Sequence, residues 1–572
     1  MLKTSIALAV AAVPEGLPAV ATTTLALGIR NMKKRNVLIR RLDAVETLGS
    51  VQTICFDKTG TVTQNKMSVK RIWVMDRALE MANGKFAEEC GADTLACEAL
   101  LRLLLVCVLC NESEIIREGT DYVLHGSSTE NALIHAALAA NVDVAALRKH
   151  HRLVSVNHRS EDRHFMGTLH ESPGGERLFS LKGNPVDVLS MCEWHLTEGE
   201  IVPLTDDIRL SIEAENERMA GDALRVLGFA YHSQTDALSF ETPRGLIWLG
   251  LVGMADPVRE GVKDLMPLFH GAGIDTVMIT GDQSSTAYSI GKELDLSNGR
   301  PLDILDSSTL SDIDPDALKA LAQRVHVFAR VSPAHKLQIV QALQKAGRVV
   351  AMTGDGINDA PALKAADIGV ALGASGTDVA REVADVILEK DDLETMILAV
   401  GHGRTIYSNI RKALHFLLAT NFSEIMVMFA AGATGIGYPL SARQLLWINL
   451  ISDIFPGLAL AMEAPEPDVL KKPPRDPHET IVRKADFKNI TREAVFISGG
   501  AMFSYLYGLS RFGIGPHAGT LAFQSLSLSQ LLHAISCRSE RRGIFTKEEL
   551  PSNEYLNWAL GGSFGIQFMT MV

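Results

Sequence analysis

Asp57 closes an apolar run, Val51 to Phe56, and is followed by Lys58, Thr59, Gly60, Thr61, Val62 and Thr63. A carboxylate at the C-terminal end of a buried strand, with a lysine beside it and hydroxyls after it, suits nucleophilic attack on a phosphoryl group to give an aspartyl-phosphate. Taken alone, the stretch reads equally well as a strand ending in an Asp-initiated turn. Three further segments bear on the choice. Thr280-Gly281-Asp282 follows the apolar run 275–279, Arg330 to Lys336 follows 325–329, and Thr353-Gly354-Asp355-Gly356-Ile357-Asn358-Asp359 follows 348–352. At one sheet edge they supply a nucleophile, hydroxyl and amide donors, a lysine for phosphate charge and carboxylates for Mg2+. Phosphoryl transfer draws mainly on such positioning and charge stabilisation. One loop of this kind is weak evidence; four after four strands are strong.

The elements that must position these loops are those of an α/β domain. Apolar strands at 51–56, 247–254, 275–279, 325–329, 348–352 and 368–371 alternate with helical stretches, the pattern of a doubly wound parallel sheet. Between 65 and 240 the pattern changes, which is simplest as a second domain inserted into the first. Its polar landmarks are Gly126-Ser127-Ser128-Thr129-Glu130-Asn131 and Lys182-Gly183-Asn184.

The 572 residues are 47% hydrophobic and 21% charged, with a mean hydropathy of +0.12. That is too apolar for a purely soluble chain of this size, and the apolar residues gather at the two ends. Residues 1–29 are nearly free of charge, and further candidate spans lie at about 413–437, 443–463, 490–511, 518–537 and 556–572. Basic residues cluster at 30–41, 471–488 and 538–547, which puts those loops and the α/β part on the cytoplasmic side. The net charge of −12, with no basic domain, gives no support to nucleic-acid binding. Seven scattered cysteines without a CxxC or Cys/His zinc spacing fit reduced thiols, and Cys107 and Cys110 lie in an apolar helical run that predicts burial.

The spans carry their own chemistry. Pro14-Glu15-Gly16-Leu17-Pro18 breaks the first span and places a glutamate at the break, a functional-site signal in a membrane. Asn421 and Glu424 share one helix face by spacing, and Asn449, Ser452 and Asp453 cluster in the next span. Carboxylate and amide oxygens from several spans suit a hard cation such as Ca2+. For Ser452 interhelical polar glue is the slightly favoured reading.

The chain resembles the P-type ATPases. The resemblance rests on Asp57-Lys58-Thr59-Gly60-Thr61, Thr280-Gly281-Asp282 and Thr353 to Leu363, and runs in order along essentially the whole chain. Pro-Glu-Gly-Leu-Pro at 14–18 points to the calcium-pump-like, type II branch. The resemblance implies a multidomain membrane protein: an α-helical transmembrane bundle, an α/β haloacid-dehalogenase-like phosphorylation domain, and an inserted α+β nucleotide-binding domain. The corresponding bounds are a broken span at 1–30, the phosphorylation domain at 31–64 and 241–412, the nucleotide-binding domain at 65–240, and about five spans in 413–572.

It further implies ATP and Mg2+ as cofactors. Asp57 would be phosphorylated, with Lys58 and Thr59 in its loop, and Mg2+ would be held by Asp57, Thr59 and Asp355. Thr280, Gly281, Asp282, Lys336, Asn358 and Asp359 would surround the phosphate, with Arg330 nearby. Glu130, Lys182 and Arg225 match nucleotide-contacting positions. The transported cation would be bound by Val10, Ala11, Val13, Glu15, Asn421, Glu424, Asn449, Ser452 and Asp453. Two-calcium pumps carry a glutamate where this chain has Gln530, so one cation per cycle is expected. Ca2+ is the first candidate, with Mn2+ and Na+ left open.

The actuator domain that removes the phosphoryl group in this family, and the spans before it, have no counterpart in the sequence. The expectation is a chain that binds ATP and accepts phosphate but needs a separate chain for turnover, in a multi-pass protein of the plasma membrane. The competing readings are a haloacid-dehalogenase-type phosphohydrolase and a non-transporting segment that binds nucleotide.

Overall fold

The structure is a computed structural model that describes residues 16–82, 85–86, 94–118, 121–160, 163–197, 199–233, 243–307, 313–539 and 550–570. Val10, Ala11, Val13 and Glu15 lie outside the described residues. Three bodies follow from the sequence pattern: a parallel sheet flanked by helices, a larger antiparallel sheet, and a bundle of long helices.

The first sheet has eight strands. Thr53–Asp57 is at its centre, between Asp275–Ile279 on one side and Val350–Gly354 on the other. Val327–Ala329 and Ile304–Asp306 continue one flank; Ile368–Leu372 and Val386–Leu388 continue the other, all parallel. Val37–Ile39 closes the edge antiparallel. The central strands are buried along their whole length, as a sheet covered on both faces requires. The expected strands at 275–279, 325–329, 348–352 and 368–371 are therefore present within a residue or two.

The strand expected at 247–254 is present but belongs elsewhere. Leu246–Ala255 pairs antiparallel with Arg225–His232 and with Ser68–Val74, in the ten-stranded sheet of the insert. Its apolar run is continuous because both faces are covered: Leu249 and Val252 pack with the helices of one core, and Trp248 and Leu251 with those of the other. A run buried on both faces has the same pattern in either kind of sheet, so pattern alone misplaced it. Cys107 and Cys110 are buried, as expected, in the core under Thr94–Leu109.

The bundle is built on one helix, Glu394–Thr434, whose 41 residues extend roughly 60 Å. The boundary expected near 412 is not a break. The helix runs without interruption from the flank of the parallel sheet into the bundle. Its first half packs on Leu42–Ser50, the helix that leads into the central strand. Gly49 and Gly403 make that approach possible: a Cβ on Gly49 would fall 2.8 Å from the Gly403 carbonyl carbon, and one on Gly403 would fall 2.7 Å from the Gly49 nitrogen.

Gly16–Lys33, Lys484–Phe512, Pro516–Ser536 and Glu554–Met569 complete the bundle. The stretch expected as a span at 443–463 is not one regular helix. Ala442–Trp447 and Ile454–Ala461 are joined by a π-type turn over Ile448–Asp453. Glu394–Thr434 and the stretch 442–461 are long and apolar enough to cross a membrane.

Candidate functional site

Asp57 is the last residue of its strand, and the chain turns sharply after it. Gly60 adopts φ +74°, a left-handed conformation that glycine takes without strain. A Cβ there would lie 1.8 Å from a carboxylate oxygen of Asp355, so the turn also needs the absence of a side chain. The segment after Leu246–Ala255 holds the turn from outside. Thr63 Oγ1 donates to Asp256 at 2.6 Å, Arg259 Nε donates to the Thr63 carbonyl at 3.1 Å, and a terminal Arg259 nitrogen donates to the Gly60 carbonyl. Asp256 and Arg259 were missed in the sequence. The signal was a polar stop, Asp256-Pro257, directly after an apolar strand, the same pattern that marked the other loops.

Four loops meet at the C-terminal edge of the parallel sheet. Lys336 sits in the first turn of Pro333–Lys345, whose N-cap Ser332 accepts from the His335 amide. From there its buried ammonium bridges Asp57 at 2.8 Å and Asp359 at 2.5 Å. Asp359 is fixed in turn by the Gly356 amide at 3.1 Å. Lys58 pairs with Asp282 at 2.6 Å, which joins the nucleophile loop to Thr280-Gly281-Asp282. Thr280 Oγ1 accepts from the Asp282 amide, and Thr353 Oγ1 donates to the Cys55 carbonyl in the neighbouring strand. Thr59 and Asn358 are exposed at the mouth, and Gly281 is open to solvent beside them. Arg330 is in the same loop cluster, but its exposed side chain faces Asp306, with Nε 3.6 Å from that carboxylate.

The carboxylates of Asp57, Asp355 and Asp359 can offer oxygens within 4.8 Å of one another. Burial pushes Asp57 up, Lys336 draws it back and Asp359 adds to the rise, leaving it at about 7. Burial and Asp359 push Asp355 up to about 6. Burial alone would depress Lys336, but Asp57 and Asp359 outweigh it and hold its pKa raised. Three crowded carboxylates against one lysine leave an excess of negative charge, and the missing side chain at Gly60 gives Asp355 room. This donor set fits Mg2+, a hard cation that takes one or two carboxylates and keeps waters.

In the insert, Lys182 reaches Glu130 at 2.5 Å and 2.6 Å, and both side chains are largely buried. Glu130 is in the first turn of Ser128–Ala139, behind N-cap Ser127, and the Glu112 amide also donates to it. Arg225 is exposed at the start of its strand. The structure thus brings Glu130 and Lys182 together, whereas no contact joins Arg225 to them.

In the bundle, Asn421, Glu424, Asn449, Ser452 and Asp453 are all buried. Thr420 Oγ1 donates to Asp453 at 2.9 Å, and Gln530 Nε2 donates to Glu424 at 3.3 Å. Glu424 Oε2, Asp453 Oδ1 and Gln530 Oε1 are buried acceptors with no donor among the described residues. Orphaned oxygens of this kind are what a bound cation satisfies. The π-type turn that carries Asn449 to Asp453 also interrupts regular backbone bonding at the same level. Ser452 instead pairs with Ser527 at 2.8 Å, the interhelical bond that its favoured reading expects. Thr420 was missed; its place one residue before Asn421 was the available signal.

Comparison with known proteins identifies the family. Residues 99–261 match the family model described as P-type ATPase, cytoplasmic domain N, and residues 437–572 match cation transporting ATPase, C-terminus. The chain is 39% identical to a calcium-transporting ATPase of Bacillus subtilis, over 94% of this chain and 62% of that protein. It is 39% identical to calcium-transporting ATPase 1 of Bacillus cereus, over 98% and 63%. It is 36% identical to human calcium-transporting ATPase type 2C member 1, over 100% and 62%. The chain thus spans somewhat under two thirds of the length of these relatives. It belongs to the P-type cation-transporting ATPase family, in its calcium-pump-like branch.

Proposed function

We propose that the chain couples ATP-dependent phosphorylation of Asp57 to movement of a cation across a membrane, with Ca2+ as the cargo. The observation that carries this reading is the Lys336 bridge between Asp57 and Asp359 beside Asp355. It leaves a nucleophile, a phosphate-neutralising cation and two further carboxylates at one sheet edge. In the reaction Asp57 attacks the γ-phosphorus in line, the bond to the ADP oxygen breaks, and ADP leaves. Lys336 and Lys58 neutralise developing charge on the phosphoryl oxygens. Asp57, Asp355 and the Thr59 carbonyl would hold Mg2+, which when bound would supply positive charge against the phosphoryl group. The parallel sheet would be a haloacid-dehalogenase-like phosphorylation domain, and the insert a nucleotide-binding domain in which Glu130 and Lys182 meet ATP and Arg225 reaches toward the phosphates.

The long helix supports coupling. It touches the helix preceding the Asp57 strand at Gly49 and Gly403 and carries Glu424 further along. The bundle would be the transmembrane part, and the α/β bodies would lie on the cytoplasmic side of a plasma membrane. The cargo oxygens would come from Glu424, Asp453, Asn421 and Asn449. Calcium transport is supported by the similarity to calcium-transporting ATPases.

Acid-stable labelling from radiolabelled ATP tests the reading. Wild-type chain is expected to take up label in a cation-dependent way and Asp57→Asn none. Label that survives Asp57→Asn would refute it.

A further inference from the structure

The geometry points to a third metal site, chemically unlike the first two: one transition-metal ion of the Zn2+ class held by His415, His533, Cys537 and Glu493. The four residues come from three helices of the bundle. His415 is on Glu394–Thr434, Glu493 on Lys484–Phe512, and His533 is on Pro516–Ser536, which Cys537 caps one turn further on. The i, i+4 spacing of His533 and Cys537 puts both on one helix face.

The ligand atoms already converge. His415, His533 and Cys537 can offer nitrogens and a sulfur within 4.8 Å of one another. His415 Nε2 is 2.6 Å from Glu493 Oε2, His533 Nε2 is 3.6 Å from the same oxygen, and Cys537 Sγ is 3.3 Å from His533 Nε2. Tetrahedral zinc with bonds of roughly 2.0–2.3 Å needs ligand atoms roughly 3.3–3.8 Å apart, so small side-chain movements complete the site.

Arg492, the charged neighbour of Glu493, is exposed to solvent, and two further arginines are committed elsewhere. Arg538 is bound to Glu463 at 2.6 Å, and Arg411 to Asp486 at 2.8 Å. Cys537 is buried and the His533 side chain is 9% exposed, whereas the side chains of His415 and Glu493 are 24% and 28% exposed, which leaves an approach from solvent.

Ligand type separates this cluster from the oxygen-only groups around Asp57 and around Glu424. Imidazole and thiolate select Zn2+ and its neighbours and discriminate against Ca2+ and Mg2+. On binding, the Cys537 thiol proton passes to water and the sulfur becomes an anionic ligand. The ion would tie Glu394–Thr434 to the two helices beside it, one turn beyond the Arg411–Asp486 ion pair.

The test is Co2+ titration of the metal-stripped full chain in detergent, followed by near-ultraviolet absorption. Thiolate-to-cobalt charge transfer requires a cysteine ligand, so it reads this site and neither oxygen site. We expect absorption that saturates at one equivalent, is displaced by Zn2+, is lost in Cys537→Ser, and persists in Asp355→Asn and Glu424→Gln. His415→Asn, at a partly exposed position, is expected to weaken Co2+ binding by at least roughly tenfold, the loss already typical of residues that merely support a metal site. It serves as the second variant should Cys537→Ser fold poorly. Absence of the band in wild type, its survival in Cys537→Ser, or wild-type affinity in His415→Asn would overturn the proposal.

Discussion

Lys336 and Asp57 are 279 residues apart in the chain and 2.8 Å apart in the fold. The contact is made by placing an N-capped helix after one parallel strand and a glycine turn after another. Because Asp359 shares the same ammonium at 2.5 Å, the lysine holds two carboxylates that would otherwise repel each other in a buried site. Neutralising Lys336 therefore does more than remove a phosphate contact. Lys336→Met is expected to lower labelling by at least about a hundredfold, the scale of losing a charge stabiliser in a buried site. Labelling within a few-fold of wild type would count against its role.

The pH dependence follows from the raised carboxyls. Asp57 and Asp355 titrate near 7 and 6 in the folded chain, above the ordinary carboxylate value near 4. The folded state thus keeps protons that the unfolded chain releases. Without Mg2+, these two groups add stability as pH falls from about 7 toward 4, and withdraw it as pH rises through their folded values. Mg2+ competes with the same protons, so its stabilising effect runs the other way. Saturating Mg2+ is expected to raise the melting temperature at about pH 7.5 and to have almost no effect at about pH 5. Equal shifts at both would refute the assignment of these carboxylates to Mg2+.

Gly60→Ala introduces two faults at once. The residue must hold φ +74°, and its new Cβ would meet the Asp355 carboxylate at 1.8 Å. Backbone strain alone costs about 1–3 kcal/mol. The variant should fold with a lower melting temperature, lose Mg2+-induced stabilisation and lose labelling. Calorimetry with and without Mg2+ checks this; an unchanged Mg2+ response would be the contrary result.

Gly403→Val addresses coupling. The contact between Gly49 and Gly403 is backbone on backbone, with no side chain that can give way. A branched side chain must push Leu42–Ser50 off the long helix, at a cost of about 1–3 kcal/mol for overpacking. Labelling of the variant should persist while its dependence on the cation weakens. Loss of labelling without any change in cation dependence would show that the contact serves folding alone.

The site in the bundle makes a separate prediction. Among the described residues Glu424 and Asp453 are its two carboxylates, and Gln530 offers an oxygen without charge. Glu424→Gln removes one negative charge and should raise the Ca2+ concentration for half-maximal labelling by roughly tenfold or more. Direct binding of radioactive calcium to wild type should saturate at one ion per chain. Two ions, or no shift in the variant, would contradict the single-cation site.

Legibility in the sequence varied with the range of the interactions. The loops after Asp57, Ile279, Ala329 and Gly354 could be read because each is a short apolar run followed by a polar turn, with a glycine in all but the one after Ala329, and these features are local. The pairing of Leu246–Ala255 could not be read. Its residues are apolar on both faces, and its partners, Ser68–Val74 and Arg225–His232, are chosen by the insert's topology. Arg259 was missed for a related reason: it acts on the Gly60 and Thr63 carbonyls, so no side-chain partner in the sequence announces it. Glu424 and Asp453 stood out because charge in an apolar segment is costly. Thr420 and the π-type turn at Ile448–Asp453 did not, since a threonine and a locally unwound helix carry no such mark. Asp282 was expected at the phosphate, but its ion pair with Lys58 emerged only in three dimensions.

The most direct test of the central claim is chemical identification of the phosphorylated residue. Chain incubated with ATP, Mg2+ and Ca2+ and then quenched with borohydride should yield homoserine at position 57, because reduction converts an aspartyl-phosphate to that alcohol. The peptide spanning Asp57 is expected to carry the change only when ATP and Ca2+ are both present. Unmodified Asp57 in a chain that has taken up phosphate, or homoserine at another aspartate, would contradict the account.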